Sequence, residues 1–191
     1  MKKGLIAVIA VVVVVFMVLS WGIGTRNSLV SMNEEVRLKS AQVETQLQRR
    51  SDLIPNFVAT VKGYAAHEEE VYTAIADARA KLSGAIENKD VAAMNEANSE
   101  LDSALSRLLV VVENYPELKA NQNFIALQDE IAGTENRIAI ARQDYNTIVA
   151  SYNREIKMFP ASLIANMSGF TEAEYFEASE GSKDAPVVSF E

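Results

Sequence analysis

The chain has 191 residues, no cysteine, eight glycines and four prolines, enough for one domain plus an anchor and suited to long uninterrupted helices. The missing cysteine excludes disulfides and thiolate metal sites. Beyond residue 24 there are 16 Lys and Arg against 26 Asp and Glu, a net charge of −10, which argues against nucleic acid and anionic lipid surfaces as partners of that part.

Residues 4–24, GLIAVIAVVVVVFMVLSWGIG, carry no charge. Helical residues rise ~1.5 Å each, so the run is long enough for a hydrocarbon core of about 30 Å. A cleaved signal peptide is the alternative, with SWG as its cleavage site, but the apolar run exceeds the ~7–15 residues of a signal core. The reading is therefore a membrane anchor over 1–25 that meets the lipid bilayer through 4–24. Lys2 and Lys3 precede the span, and Arg26, Arg37 and Lys39 follow it among Glu34 and Glu35, so the positive-inside count is close to a tie. The two-lysine start favours a single-pass signal-anchor in the cell membrane with the main domain outside the cytoplasm.

Apolar residues at steps of three and four predict four helices. The first, 26–50, carries Leu29, Met32, Val36, Val43 and Leu47, and nothing after Gly24 breaks it from the membrane span. The second, 52–86, opens at SDLIPN, where Ser51 or Asp52 caps and Pro55 sits in the first turn. Its stripe is Ile54, Phe57, Val61, Tyr64, Tyr72, Ile75, Leu82 and Ile86. The third, 90–113, starts at an Asp90 cap and reads Val91, Met94, Asn98, Leu101, Leu105, Leu108 and Val112. The fourth, 117–157, follows the break at Pro116 and reads Phe124, Leu127, Ile131, Thr134, Ile138, Ala141, Tyr145, Ile148, Tyr152 and Ile156. A short helical piece, ASLIANM, follows Pro160. Residues 171–191 carry six acids against one lysine and read as a mobile tail.

No segment alternates as a half-buried strand. Short connections between long amphipathic helices predict an all-α fold: an N-terminal transmembrane helix, then an up-and-down four-helix bundle over 26–170. The fourth helix is about 16 residues longer than the third. At ~1.5 Å per residue, its last stripe residues, Ile148, Tyr152 and Ile156, need another partner, either the juxtamembrane residues 26–33 or a second subunit.

The segment VKGYAAHEEEV, 61–71, holds the single histidine. A zinc protease requires H-E-x-x-H and a bundle di-iron site two Glu-x-x-His pairs; HEEEV supplies neither. Serines lie without a nucleophile turn and the glycines stand alone, so no catalytic, cofactor-binding or metal-ligating residue is assigned, and no cofactor. On a continuous second helix, Glu68 falls at the centre of the apolar stripe, Arg79 near the same line and His67 on the flank. Glu68 and Arg79 then need opposite groups from other helices, because a lone buried charge is costly. Together with Asn98 and Thr134 they read either as a polar pocket or as buried ties that fix register, and the ties are favoured. The dyads Tyr145-Asn146 and Tyr152-Asn153, seven apart, suit packing plus hydrogen bonding.

RRSDLIPNFVATVKGYAAHE, ENYPELKANQNFIALQDEIAGTENRIAIARQDYN, YNREIKMFPASLIANMSGF and YFE, in this order, resemble the LemA family over nearly the whole chain. The recurring positions are Arg50, Asp52, Pro55, Asn56, Gly63, Tyr64, His67, Glu68, Glu135, Arg137, Tyr145 and Asn146. The resemblance implies a bacterial single-span membrane protein with a four-helix-bundle domain, in a family with no established activity and with some relatives tied to membrane organelle biogenesis. The leading expectation is a membrane-tethered scaffold or adaptor that binds proteins, itself and other membrane proteins included. A ligand sensor with a polar pocket around Glu68 and Arg79 is the alternative, and an enzyme has least support.

Overall fold

A computed structural model describes residues 2–177, with side chains from residue 4 onward. The described chain is all-α, an N-terminal apolar helix followed by a helical bundle. Its helices are α1 (Lys2–Lys62), α2 (Glu69–Asn88), α3 (Val91–Val112), α4 (Pro116–Lys119), α5 (Gln122–Lys157) and α6 (Ala161–Ser168). Residues 4–21 are exposed along their whole length, and the helix that carries them is long and apolar enough to cross a membrane.

The chain forms two compact units. One contains residues 40–146 together with 174–177. Its four long helical stretches, 40–62 of α1, α2, α3 and α5 up to 146, follow in up-and-down order. Val43, Leu47, Ile54, Phe57, Ile75, Leu82, Met94, Leu101, Leu108, Phe124 and Ile138 fill its core, as the stripes predict. Phe57 and Phe124 stack at 5.2 Å. Asp90 caps α3 as expected, accepting from the Ala93 N–H at 2.9 Å.

The other unit contains residues 2–39 and 147–173. Leu29 and Val36 of α1 are buried there, as are Val149, Tyr152 and Ile156 of α5, while Ile148 is half-buried. The apolar end of α5 is thus covered within one chain, in the unit that holds the juxtamembrane residues.

Two predicted boundaries move. The sequence reading ends a helix at 50 and starts the next at 52, but α1 runs on to Lys62 with Pro55 inside it. A proline has no N–H to donate to the carbonyl four residues back, here Ser51, and normally disfavours a helix interior for that reason. The Arg79 Nε of α2 donates to the Ser51 carbonyl at 3.0 Å, so a neighbouring helix satisfies the acceptor that the proline leaves. Arg79 therefore has a partner from another helix, as expected, but a backbone carbonyl and not a carboxylate. Replacing Arg79 by methionine is expected to destabilise the bundle by about 2 kcal/mol, the cost of an orphaned, partly buried acceptor. In a Pro55→Ala background, where a new N–H reaches Ser51, the same change is expected to cost less by about 1 kcal/mol. Denaturant unfolding of the four proteins in detergent measures this coupling; simple additivity would refute the compensation.

The break falls instead at Gly63–Glu68, inside VKGYAAHEEEV. The Tyr64 and Ala65 N–H groups both close on the Val61 carbonyl at 2.9 Å. The Tyr72 hydroxyl donates to the Ala65 carbonyl at 2.6 Å, and the Lys62 ammonium lies 4.6 Å from the Tyr72 ring centre. A smaller shift affects the fourth helix, which α4 and the Asn121 turn divide before α5. Asn121 Oδ1 accepts from the Asn123 and Phe124 N–H groups at 2.9 and 3.3 Å, as an N-cap does.

Candidate functional site

The turn decides what the histidine segment is. His67 is exposed and Glu68 half-buried. Glu68 is the residue before α2, with no side-chain capping bond, and not the centre of a buried stripe. Glu69 and Glu70 occupy the first turn of α2, where carboxylates interact favourably with the helix dipole. The expected buried tie at Glu68 is therefore corrected: the stripe argument assumed one continuous helix, and the chain breaks before reaching it. Arg79 lies eleven residues further along, about 16 Å of helix, committed to Ser51. The two do not form one pocket.

The buried polar centre lies elsewhere, on Arg50. Its side chain is 5% exposed, and the guanidinium links three helices of the bundle. Nη1 donates to Asn98 Oδ1 at 3.0 Å and lies 2.6 Å from Glu135 Oε2. Nη2 donates to Asp102 Oδ1, and Asn98 Nδ2 donates to Asp102 Oδ2 at 3.0 Å. So α1 supplies the cation, α3 an amide and a carboxylate, and α5 a second carboxylate. Arg142, also on α5, belongs to the same field: burial lowers its pKa, and the carboxylates of Glu135 and Asp102 oppose that shift.

Sequence reasoning places Asn98 on the stripe, and it is buried. It notes Arg50 and Glu135 only as recurring positions. The signal for Arg50 is the step of seven, Leu29, Val36, Val43, Arg50, Phe57, visible once α1 is allowed to pass Ser51. Thr134 is buried as expected, but its hydroxyl returns to the Ile131 carbonyl of its own helix at 2.6 Å. What this centre does chemically is limited by its commitments. Arg50, Asn98, Asp102 and Glu135 bind one another across helices, while the buried Arg50 Nε and the Arg142 Nε and Nη2 take no hydrogen-bond partner; among the described residues no cluster of three or more His, Cys, Asp or Glu lies close enough to hold a metal.

The tyrosine–asparagine dyads form the second polar system, one in each unit. Tyr145 donates to the Glu174 carbonyl at 2.9 Å. Asn146 donates to the Phe176 carbonyl at 2.8 Å and accepts the Phe176 N–H at 3.0 Å. Tyr152 donates to the Thr171 carbonyl at 2.9 Å. Asn153 donates to the Ala173 carbonyl at 2.8 Å and accepts the Ala173 N–H at 2.9 Å. In both cases the phenol takes one carbonyl, and the amide takes both backbone groups of the residue two further on. Burial raises the pKa of both phenols, with the Glu174 and Glu44 carboxylates adding to the shift at Tyr145, so both remain donors. The Phe176 ring is buried, edge-on to Tyr145 at 5.1 Å and under the Arg142 guanidinium at 5.3 Å.

The expectation of a mobile tail from 171 therefore does not describe 171–177. Those residues carry acids, but their backbone is paired, and α5 supplies the partners. The remainder of the predicted tail, 178–191, lies outside the described residues.

Comparison with known proteins agrees with this architecture. The family model described as LemA family matches residues 39–190. Magnetosome protein MamQ 2 of Paramagnetospirillum magneticum is 28% identical, over 85% of this chain and 68% of the relative. Magnetosome protein MamQ of Magnetospirillum gryphiswaldense is 25% identical over the same shares. Protein LemA of Metamycoplasma hominis is 28% identical over 87% of this chain and 78% of the relative. With a family model covering most of its length, this chain belongs to the LemA family.

Proposed function

We propose that the chain is a membrane-anchored, non-catalytic scaffold whose bundle docks other proteins, with further copies of itself among the candidates, and faces away from the cytoplasm. One observation carries this reading: the strongest buried polar contacts of the bundle, those of Arg50 and Arg79, are ties between helices. Arg50 holds Asn98, Asp102 and Glu135, and Arg79 holds Ser51. Groups that bind each other maintain register rather than turn over a substrate. What the bundle offers outward is relief and charge. A groove of about 680 Å³ is lined by Ala74, Asp77, Ala78, Glu96, Ser99 and Arg107, small side chains of α2 and α3 edged by acids. The fully exposed helix over residues 4–21 supports the anchor, and the two-lysine start supports the orientation. The names of the relatives, magnetosome protein and Protein LemA, specify no reaction.

The absence of cysteine makes the test direct. Asn88→Cys in the full chain is expected to react with a membrane-impermeant maleimide in intact cells or spheroplasts, while the chain resists alkaline carbonate extraction. A photo-crosslinking residue at Ser99 is expected to capture a discrete protein partner, which one at exposed Asn88 does not. Carbonate-resistant protein whose Ser99 position captures nothing beyond the control would reject the scaffold reading, and labelling only after lysis would reverse the orientation.

A further inference from the structure

The helix α6 is inverted for a protein in water. Its inward residues are small: Ala161 and Ala165 are buried, at 5% and 1% exposure. Its large apolar residues point out, with Leu163 55% and Met167 86% exposed, and Phe159, in the turn before it, 79% exposed. Positions 163 and 167 are spaced by four, one face of a helix, and 163 lies about 200° around from 161 and 165. The helix ASLIANMS carries no charge. Apolar side chains gathered in this way on a surface mark a contact with something other than water.

The same unit identifies the occupant. A methyl group built on Gly22 would lie 3.6 Å from Ile164 Cδ1, so α6 packs beside α1 where the uncharged run 4–24 ends. Trp21 and Ile23 are exposed at that level, and a tryptophan at the end of a span is characteristic of the membrane interface. The exposed apolar surface of α1 thus continues onto Phe159, Leu163 and Met167. We propose that α6 is an interfacial membrane helix, with its Leu163–Met167 face, and Phe159 before it, seated in the lipid beside the end of the anchor. The proposal rests on the anchor reading. Because α6 is uncharged, its contact is with the acyl boundary and does not require anionic headgroups. The helix then fixes how the chain leaves the membrane: a second apolar foothold next to a single span restricts the tilt of that unit.

The experiment uses the full chain reconstituted into phosphatidylcholine vesicles. An environment-sensitive fluorophore is attached to single cysteines placed at Leu163, Met167, Val12 as the span control and Asn88 as the bundle control. With lipids carrying a nitroxide quencher near the headgroup or, in a parallel sample, deep in the acyl chain, labels at Leu163 and Met167 are expected to emit as in an apolar medium and to lose intensity to the shallow quencher, and Val12 to the deep one, while Asn88 loses none to either. Quenching at Val12 without quenching at Leu163 and Met167 would overturn the assignment of α6 and leave the anchor standing. Labels at Leu163 and Met167 that self-quench between copies, yet ignore the lipid quencher, would assign the face to a second chain and likewise overturn it. Loss of lipid quenching at Val12 itself would remove the anchor, and the role of α6 with it.

Discussion

Replacing Arg50 by alanine is expected to destabilise the bundle by about 3 kcal/mol, the lower end of the range for removing one partner of a buried ion pair. The side chain is 5% exposed, but Asp102 and Glu135 are 34% and 45% exposed. Once unpaired, those carboxylates regain some water, which discounts the penalty. The loss also orphans the buried Asn98 amide oxygen and leaves the volume of the guanidinium stem unfilled. Lysine is expected to recover only part: it keeps the charge but cannot hold Asn98, Asp102 and Glu135 in one planar fork. Methionine fills the stem volume and separates packing from charge, so it should fall between alanine and the native residue. Denaturant unfolding of the full chain in detergent, followed by far-ultraviolet circular dichroism, reads all three. A loss under about 1 kcal/mol for alanine, the size of a surface change, would show that the cluster does not hold the helices together.

The same comparison explains why the polar centre is a structural device. A tie across α1, α3 and α5 fixes helix register, because only one axial offset places Arg50 level with Asn98, Asp102 and Glu135. The register of the bundle is therefore set on the 40–62 stretch of α1. Pro55 weakens that stretch one turn after Arg50, and Arg79 compensates from α2. Two cationic residues therefore support one helix at neighbouring turns, each by bonding groups that would otherwise be unpaired.

Much of this architecture was legible in the residues, and the misses have physical causes. The apolar steps of three and four located the core of every long helix, because burial imposes that period. Boundaries were harder. Pro55 reads as a helix start because a proline in a helix interior is normally excluded, and nothing near it in sequence announces that Arg79, 24 residues on, will take the free carbonyl. Conversely, Gly63 sits in an otherwise helical pattern and marks the real break. That single displacement moved Glu68 from a buried stripe to a half-buried position in a turn and hid Arg50, which occupies the next heptad position of α1. The segment at 171–177 was misjudged for another reason. Composition registers its acids, but its order comes from backbone groups, which no composition reports. The sign was on α5: two Tyr-Asn dyads seven residues apart, more hydrogen-bonding capacity than packing requires.

That capacity gives the second large effect. Asn153→Ala is expected to raise the hydrogen-exchange rate of the Ala173 amide about 30-fold, with little change in global stability. Asn153 makes two hydrogen bonds to Ala173, one to each backbone group, each worth about 1 kcal/mol net, and 1.4 kcal/mol is a factor of ten. The cost appears locally because the segment can detach alone: once released, its N–H and C=O groups bond to water, and the helices behind it stay folded. Asn153→Asp separates the two bonds. It keeps the acceptor for the Ala173 N–H and loses the donor to the Ala173 carbonyl, so its exchange should lie between the native chain and the alanine variant. Asn146→Ala is expected to act in the same way at the Phe176 amide. There the buried ring against Tyr145 and Arg142 still holds the segment, so the increase should be smaller. Exchange measured by mass spectrometry on peptides covering 169–177 distinguishes these outcomes. If Ala173 exchanges freely in the native chain, or if Asn153→Ala leaves its rate unchanged, the dyads pack the end of α5 without clamping the backbone beside it.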